Sequence, residues 1–231
     1  MTLTRYPEGM QKSGSTGGTV HSHCRYGSYT KSKSRPVNPN TTRQSKTRAV
    51  IGKLAEEWKN LLTLSQRLSW DEYAANVPWK NKLGQTVHLT GFAHFTRSNA
   101  ARLDCRIDQV NNAPSIFNLA TPEQELGTDA TEWMNHLYIY FENVNADWLM
   151  ETGAYQLVYI GRPISSGHKY YGGPWTYVNF LPGNPIAPPG SPRVLTLPGI
   201  YKGGATYRVR TRISRADGRL SEWSYATGTV L

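Results

Sequence analysis

The chain has 231 residues, with 26 Lys plus Arg against 16 Asp plus Glu and a net charge of +10. Its apolar residues never form a run near the ~18 needed for a membrane helix, and the amino terminus lacks the apolar centre of a signal peptide. Composition therefore excludes a helical membrane span and predicts a soluble, unexported protein without a membrane partner.

Charge is unevenly placed. The first fifty residues hold Arg5, Lys12, Arg25, Lys31, Lys33, Arg35, Arg43, Lys46 and Arg48 against the single acid Glu8, so +8 of the +10 lies there. Residues 1–46 are also rich in Gly, Ser, Thr, Asn and Pro, which predicts an extended basic arm. Ordering such a segment costs ~1–2 kcal/mol per residue. Burial of Tyr6, Met10, Val20, Tyr26, Tyr29 and Val37 would return only ~1.5–3 kcal/mol each. The arm is thus expected to take its shape from a partner, with the nine cations, Tyr26 and Tyr29 as the contact residues. Two partners suit it: nucleic acid, whose phosphates meet the cations and whose bases stack on the tyrosines, or a neighbouring subunit. The prolines of Arg35-Pro36-Val37-Asn38-Pro39-Asn40 favour an extended path.

Within the arm, His21-Ser22-His23-Cys24 offers zinc-type ligands but no fourth ligand at a recognisable spacing, so no metal or other cofactor is expected. Cys24 and Cys105 have no redox or metal spacing and read as free thiols. Asn40-Thr41-Thr42 matches a glycosylation acceptor, inert in an unexported chain.

From Ser45 the period becomes helical, and residues 47–112 read as a module of three short helices. Val50, Leu54, Trp58, Leu61 and Leu62 make one apolar face. Thr63-Leu64-Ser65-Gln66 has the form of a capping box that opens a second helix ending before Pro78. There Leu64, Leu68, Trp70, Tyr73, Ala74 and Val77 predict a helix packed on two sides. After a short strand-like piece at 85–89, Thr90 caps a third helix with Phe92, Phe95, Asn99 and Leu103 together. Trp58, Leu61, Trp70, Tyr73, Phe92 and Phe95 are the predicted packing residues. Asp71 and Glu72 on the second helix argue against its entering a DNA groove.

The run Trp58-x-x-Leu61-x-Thr63-x-x-Gln66-Arg67-x-x-Trp70-x-x-Tyr73-Ala74, followed by Asn81, Gly84, Gly91-Phe92, Phe95 and Asn99, resembles a family of small phage and prophage-type proteins that also begin with a basic Gly, Arg and Pro-Asn-Pro arm. The resemblance covers roughly residues 20–103. It implies a role in virion structure and brings no catalytic residues.

Beyond residue 113 the period changes to two. Segments 138–141, 155–160, 175–180, 194–197, 206–213 and 220–230 predict an antiparallel β-sandwich over 113–231, making the whole chain an α+β multidomain protein. In Tyr207-Arg208-Val209-Arg210-Thr211-Arg212-Ile213 one face is apolar and the other a ladder of arginines, expected to cover a solvent face and protect an edge. Asp217-Gly218 turns the chain into the last strand. The pattern Ala113-Pro114, 155–160, Tyr207 and Ser221-Glu222-Trp223-Ser224 resembles a fibronectin type III domain, with Tyr207 at the tyrosine-corner position. It departs from that family in a longer Gly- and Pro-rich stretch between Ser165 and Pro192. The fold implies recognition or spacing and assigns no ligand. The proline-rich stretch 181–192 reads as a rigid loop.

No nucleophile elbow, phosphate-cradling loop or metal-spaced histidine pair occurs, so no enzyme is expected. The sequence predicts a structural protein of a phage-like virion, associated with the capsid as a decoration or connector-like component and assembled in the host cytoplasm. It would bind neighbouring copies of itself and other virion proteins. The alternative is a nucleic-acid-binding protein that uses the arm for phosphate contacts.

Overall fold

The structure is a computed structural model that describes residues 2–3, 12–33, 38–81, 83–142, 146–164 and 171–231. Arg5, Glu8, Arg35 and Pro36 lie outside the described residues.

The basic segment is strand-rich rather than a single extended path. β1 (Thr2–Leu3), β2 (Gly14–Thr16), β3 (Thr19–Cys24) and β4 (Gly27–Ser32) form an antiparallel sheet in the order β1-β4-β3-β2. Thr16 pairs with Thr19 across Gly17-Gly18, and Cys24 pairs with Gly27 across Arg25-Tyr26. The sequence reading missed this because the strands are built from Ser, Thr, His and Gly, so the apolar alternation that marks a strand is nearly absent. Residues 12–33 include no buried side chain.

α1 (Thr42–Asn60) begins three residues before the expected Ser45. Thr41 is its N-cap, accepting from the Gln44 amide while the Gln44 side chain accepts from the Thr41 amide. Arg43, Lys46 and Arg48 therefore sit on a helix and not on an arm. α2 (Leu64–Asn76) carries the expected capping box between Thr63 and Gln66. β5 (Pro78–Lys80), unforeseen because it opens on proline, pairs with β6 (Thr86–His88), and α3 (Gly91–Asp104) follows its cap Thr90.

Leu54, Leu62, Trp70, Tyr73, Val77 and Phe95 are buried together at the centre of the three helices. The Trp58 ring lies 5.7 Å from that of Phe92 and 5.4 Å from that of Phe95. Leu61, by contrast, is 58% exposed, and Leu64 and Leu68 are 65% and 57% exposed. This corrects the reading of Leu61 as a packing residue and of α2 as packed on two sides. At 3.6 residues per turn Trp70, Tyr73, Ala74 and Val77 share one stripe, and Leu64 and Leu68 fall on the opposite side.

The remaining strands form two antiparallel sheets. β7 (Gly127–Thr131), β8 (His136–Tyr140) and β11 (Arg193–Thr196) lie in the order β11-β8-β7. β9 (Tyr155–Gly161), β10 (Trp175–Pro182), β12 (Thr206–Ser214) and β13 (Ser224–Thr229) lie in the order β10-β9-β12-β13. Inward side chains of both sheets, among them Leu137, Ile139, Leu195, Val158, Ile160, Tyr207 and Val209, make one core. β7 escaped the sequence reading because Gly127-Thr-Asp-Ala-Thr131 has no large apolar residue. Gly218, at φ +95°, supplies the turn after β12. Fully buried Tyr207 reaches across the sandwich, its hydroxyl 3.2 Å from the Thr128 hydroxyl. In a tyrosine corner that hydroxyl would bond the backbone a few residues upstream.

Candidate functional site

Two regions concentrate charge, and each is traceable to its strands and helices. The first is the N-terminal sheet. Paired residues share a face, so Leu3, Ser22, Val20, Tyr29 and Lys31 lie on one side and His21, His23, Thr19, Ser28 and Thr30 on the other. Lys12, Arg25, Lys31 and Lys33 are exposed, Tyr26 sits at the β3–β4 turn, and Tyr29 is half-buried. One tie to the body is the Asn81 side-chain amide, which donates to the Tyr26 carbonyl at 3.0 Å. Lys46 and Arg48, predicted as partner contacts, bond within the chain. Lys46 pairs with Asp104 at 2.8 Å, and Arg48 donates to the side-chain oxygens of Asn38 and Asn40 at 2.9 and 3.3 Å. Arg43 is exposed on the first turn of α1.

The polar residues of the tryptophan motif serve the architecture. Gln66 bonds Asn112 at 2.9 Å, and the Trp70 indole donates to the Asn111 carbonyl at 2.9 Å. The Asp71 carboxylate accepts from the Gly91 amide at 3.0 Å, and Asn99 exchanges two bonds with the Val110 backbone. Each bond fixes a helix end or a connection, which explains the spacing without any ligand.

The second region is the outer face of the four-stranded sheet, and here the expected solvent-covering ladder is corrected. β12 is a central strand between β9 and β13, so it has no edge to protect. Two of its outward arginines stack against rings: Arg210 lies 3.8 Å from the Trp223 centroid and 4.6 Å from that of Trp175, and Arg212 lies 4.2 Å from Trp223. α3 closes over the same face, where Ala101, Cys105 and Ile107 pack with Leu157, Tyr159, Trp175 and Leu220. Helices and sandwich thus share a core.

Two arginines of α3 bind this seam. Arg97 donates to the Leu220 and Ser221 carbonyls, both at 2.8 Å, and lies 4.9 Å over the Trp79 ring. Arg102 donates to the Asp108 carbonyl at 2.6 Å, the Ser214 hydroxyl at 3.1 Å and the Arg215 carbonyl at 3.2 Å. From residue type alone these two are only cations on a helix. Arg97 lies one turn before Ala100 and Ala101, on a side of α3 where small residues allow close approach, and that was the signal available for it. Burial, and then the charge of Arg212, pulls Arg97 down to about 10. Burial lowers Arg102, Arg210 and Arg212 as well. It pushes up the Tyr159 and Tyr177 phenols and the Cys105 thiol, which lies 3.4 Å from the Tyr159 hydroxyl. Near neutral pH these three stay protonated, so the seam offers donors and ring faces and no thiolate.

Cys24 and Cys105 are both free thiols. Among the described residues there is no cluster of three or more His, Cys, Asp and Glu able to hold a metal, and no helix long and apolar enough to cross a membrane.

No family model matches the chain, and no curated protein matches it. Among solved structures, 47% of the chain is similar to a family 76 glycoside hydrolase from a bovine Bacteroides thetaiotaomicron strain, at 20% identity and a TM-score of 0.33. Another 48% match is to an Fn3-like protein from Clostridium thermocellum, at 12% identity and a TM-score of 0.32, covering 94% of that chain. The FN1-FN3 domains of chicken CNTN1 match over 48% of this chain, at 13% identity and a TM-score of 0.34. The chain spans 20% of the hydrolase and 33% of the CNTN1 fragment. Likeness at this level assigns no activity, substrate or partner here.

Proposed function

We propose that the chain is a non-enzymatic structural protein of a phage-like virion, which assembles through its basic N-terminal strands and helical module and presents a fibronectin type III-like sandwich. The observation that carries this reading is an N-terminal sheet with exposed Lys12, Arg25, Lys31 and Lys33 and no buried side chain in residues 12–33. A sheet needs a buried face for independent stability, and a neighbouring subunit would supply one. The resemblance of the tryptophan motif and basic leader to phage and prophage-type proteins points to the kind of particle. Seven strands in a three-plus-four sandwich suit a presented module. Copies around a symmetric lattice would bring the sheets of adjacent chains together.

The second reading, nucleic-acid binding, draws on the same cations together with Tyr26 and Tyr29. Removing residues 1–33 separates the two. Loss of incorporation into particles, with negligible nucleic-acid affinity of the intact chain at physiological salt, supports assembly. Retained incorporation, with loss of a salt-sensitive DNA or RNA affinity, overturns it in favour of the second reading.

A further inference from the structure

We propose that the crevice between α1, α3 and the β9–β12 face is a binding site for a small tetrahedral oxyanion of the phosphate class. The crevice has a volume of about 160 Å³ and is lined by Thr47 and Ile51 of α1, Arg97 and Asp104 of α3, Tyr159 of β9 and Arg212 of β12. Two arginines from different elements therefore line one crevice. Arg97 is held in place by its bonds to the Leu220 and Ser221 carbonyls, and neither Arg97 nor Arg212 has a carboxylate ion-pair partner among the described residues. The Arg212 Nε is buried without an acceptor among the described residues, while its guanidinium bonds the Tyr159 side chain and packs on Trp223. Asp104 is the carboxylate of the lining, and Lys46 already neutralises it at 2.8 Å. The lining thus holds two arginines and one acid that is already paired, and Glu222 is the further acid that acts on Arg97. Two like charges brought together out of water repel each other, and an anion between them relieves that repulsion.

Charge complementarity selects the ligand class. The crevice is open to solvent on one side and has room for a small polyatomic anion, and forked guanidinium donors match the oxygens of a phosphoryl group. The group could arrive as free inorganic phosphate or as the terminal phosphate of a larger molecule.

The test is titration calorimetry of the full chain with inorganic phosphate, using chloride at matched ionic strength as control and glycerol phosphate as a second arm. One phosphate per chain is expected, with affinity falling by about tenfold or more in Ile51→Glu and Arg212→Met. Ile51 is 44% exposed, so Ile51→Glu brings a negative charge to the crevice without disturbing the core and carries the test should Arg212→Met fail to fold. Glycerol phosphate binding alongside phosphate supports a phosphoryl site open to larger molecules, and phosphate binding alone supports a site for the free ion. No preference for phosphate over chloride, or equal affinity in Ile51→Glu, would overturn the proposal; the latter places the anion elsewhere, as on the basic N-terminal strands.

Discussion

Arg102 is 5% exposed and joins the third helix to the sandwich. Replacing it with Met keeps the apolar stem and removes the guanidinium. Four acceptors then lose a charged donor: the Asp108, Gly153 and Arg215 carbonyls and the Ser214 hydroxyl, of which the Gly153 contact, at 3.4 Å, is the longest. Hydrogen bonds to charged groups contribute ~1.5–3 kcal/mol each. Part of that gross loss is offset because a cation no longer has to be held out of water. The net expectation for Arg102→Met is a destabilisation of about 3 kcal/mol, which in a chain of this length lowers Tm by roughly 6–12 °C. Thermal unfolding followed by near-ultraviolet circular dichroism reads it directly, with the exposed Arg193→Met as a control expected within about 0.5 kcal/mol of the parent. A loss under about 1 kcal/mol for Arg102→Met would refute the claim that the seam is a structural joint.

Two further outcomes follow from buried contacts. In Gly91→Ala the new Cβ would sit 2.5 Å from the Asp71 carboxylate oxygen and 2.6 Å from the Asp71 amide nitrogen, so denaturant titration should show a loss of about 2–3 kcal/mol; a neutral result would mean α2 and α3 can separate freely. His94 is 1% exposed, and burial, reinforced by the Arg97 charge, lowers its pKa to about 4. The unfolded chain takes up that proton below about 6.5, so the stability His94 contributes is present above that pH and is lost as pH falls towards 4. The loss from pH 7 to pH 5 is about 2 kcal/mol, and urea titrations at the two pH values should show a decline smaller by that amount in His94→Leu. Buried Glu123, whose pKa is raised, acts in the opposite sense, because the folded state gains stability by binding its proton as pH falls. The comparison with His94→Leu cancels that contribution, and an identical decline in both proteins would contradict a buried neutral imidazole.

The helices were legible because their starts are written in side-chain chemistry: Thr63 with Gln66, and Thr90, are caps whose bonds follow from residue type and spacing. The long β-branched and aromatic strands were legible through their two-residue period. Elements without apolar residues were not, which is why β7 and the N-terminal sheet went unseen. Periodicity also fails to say which of two apolar stripes is covered, as Leu64 and Leu68 illustrate. The arginine ladder was read correctly as one face of β12, but its environment was not, because the covering groups come from Trp175, Trp223 and a helix more than a hundred residues earlier. Long-range stacking of that kind leaves no local signature.

The proposed assembly role rests on the dependence of the basic N-terminal sheet on a docking partner for its order. Amide hydrogen exchange of the free chain, resolved over residues 19–32 and over β9 and β12, tests it most directly. The account predicts exchange within about tenfold of unprotected rates in residues 19–32, beside strong protection in the sandwich strands, with protection of residues 19–32 appearing on assembly. Sandwich-level protection of residues 19–32 in a free monomer would contradict it.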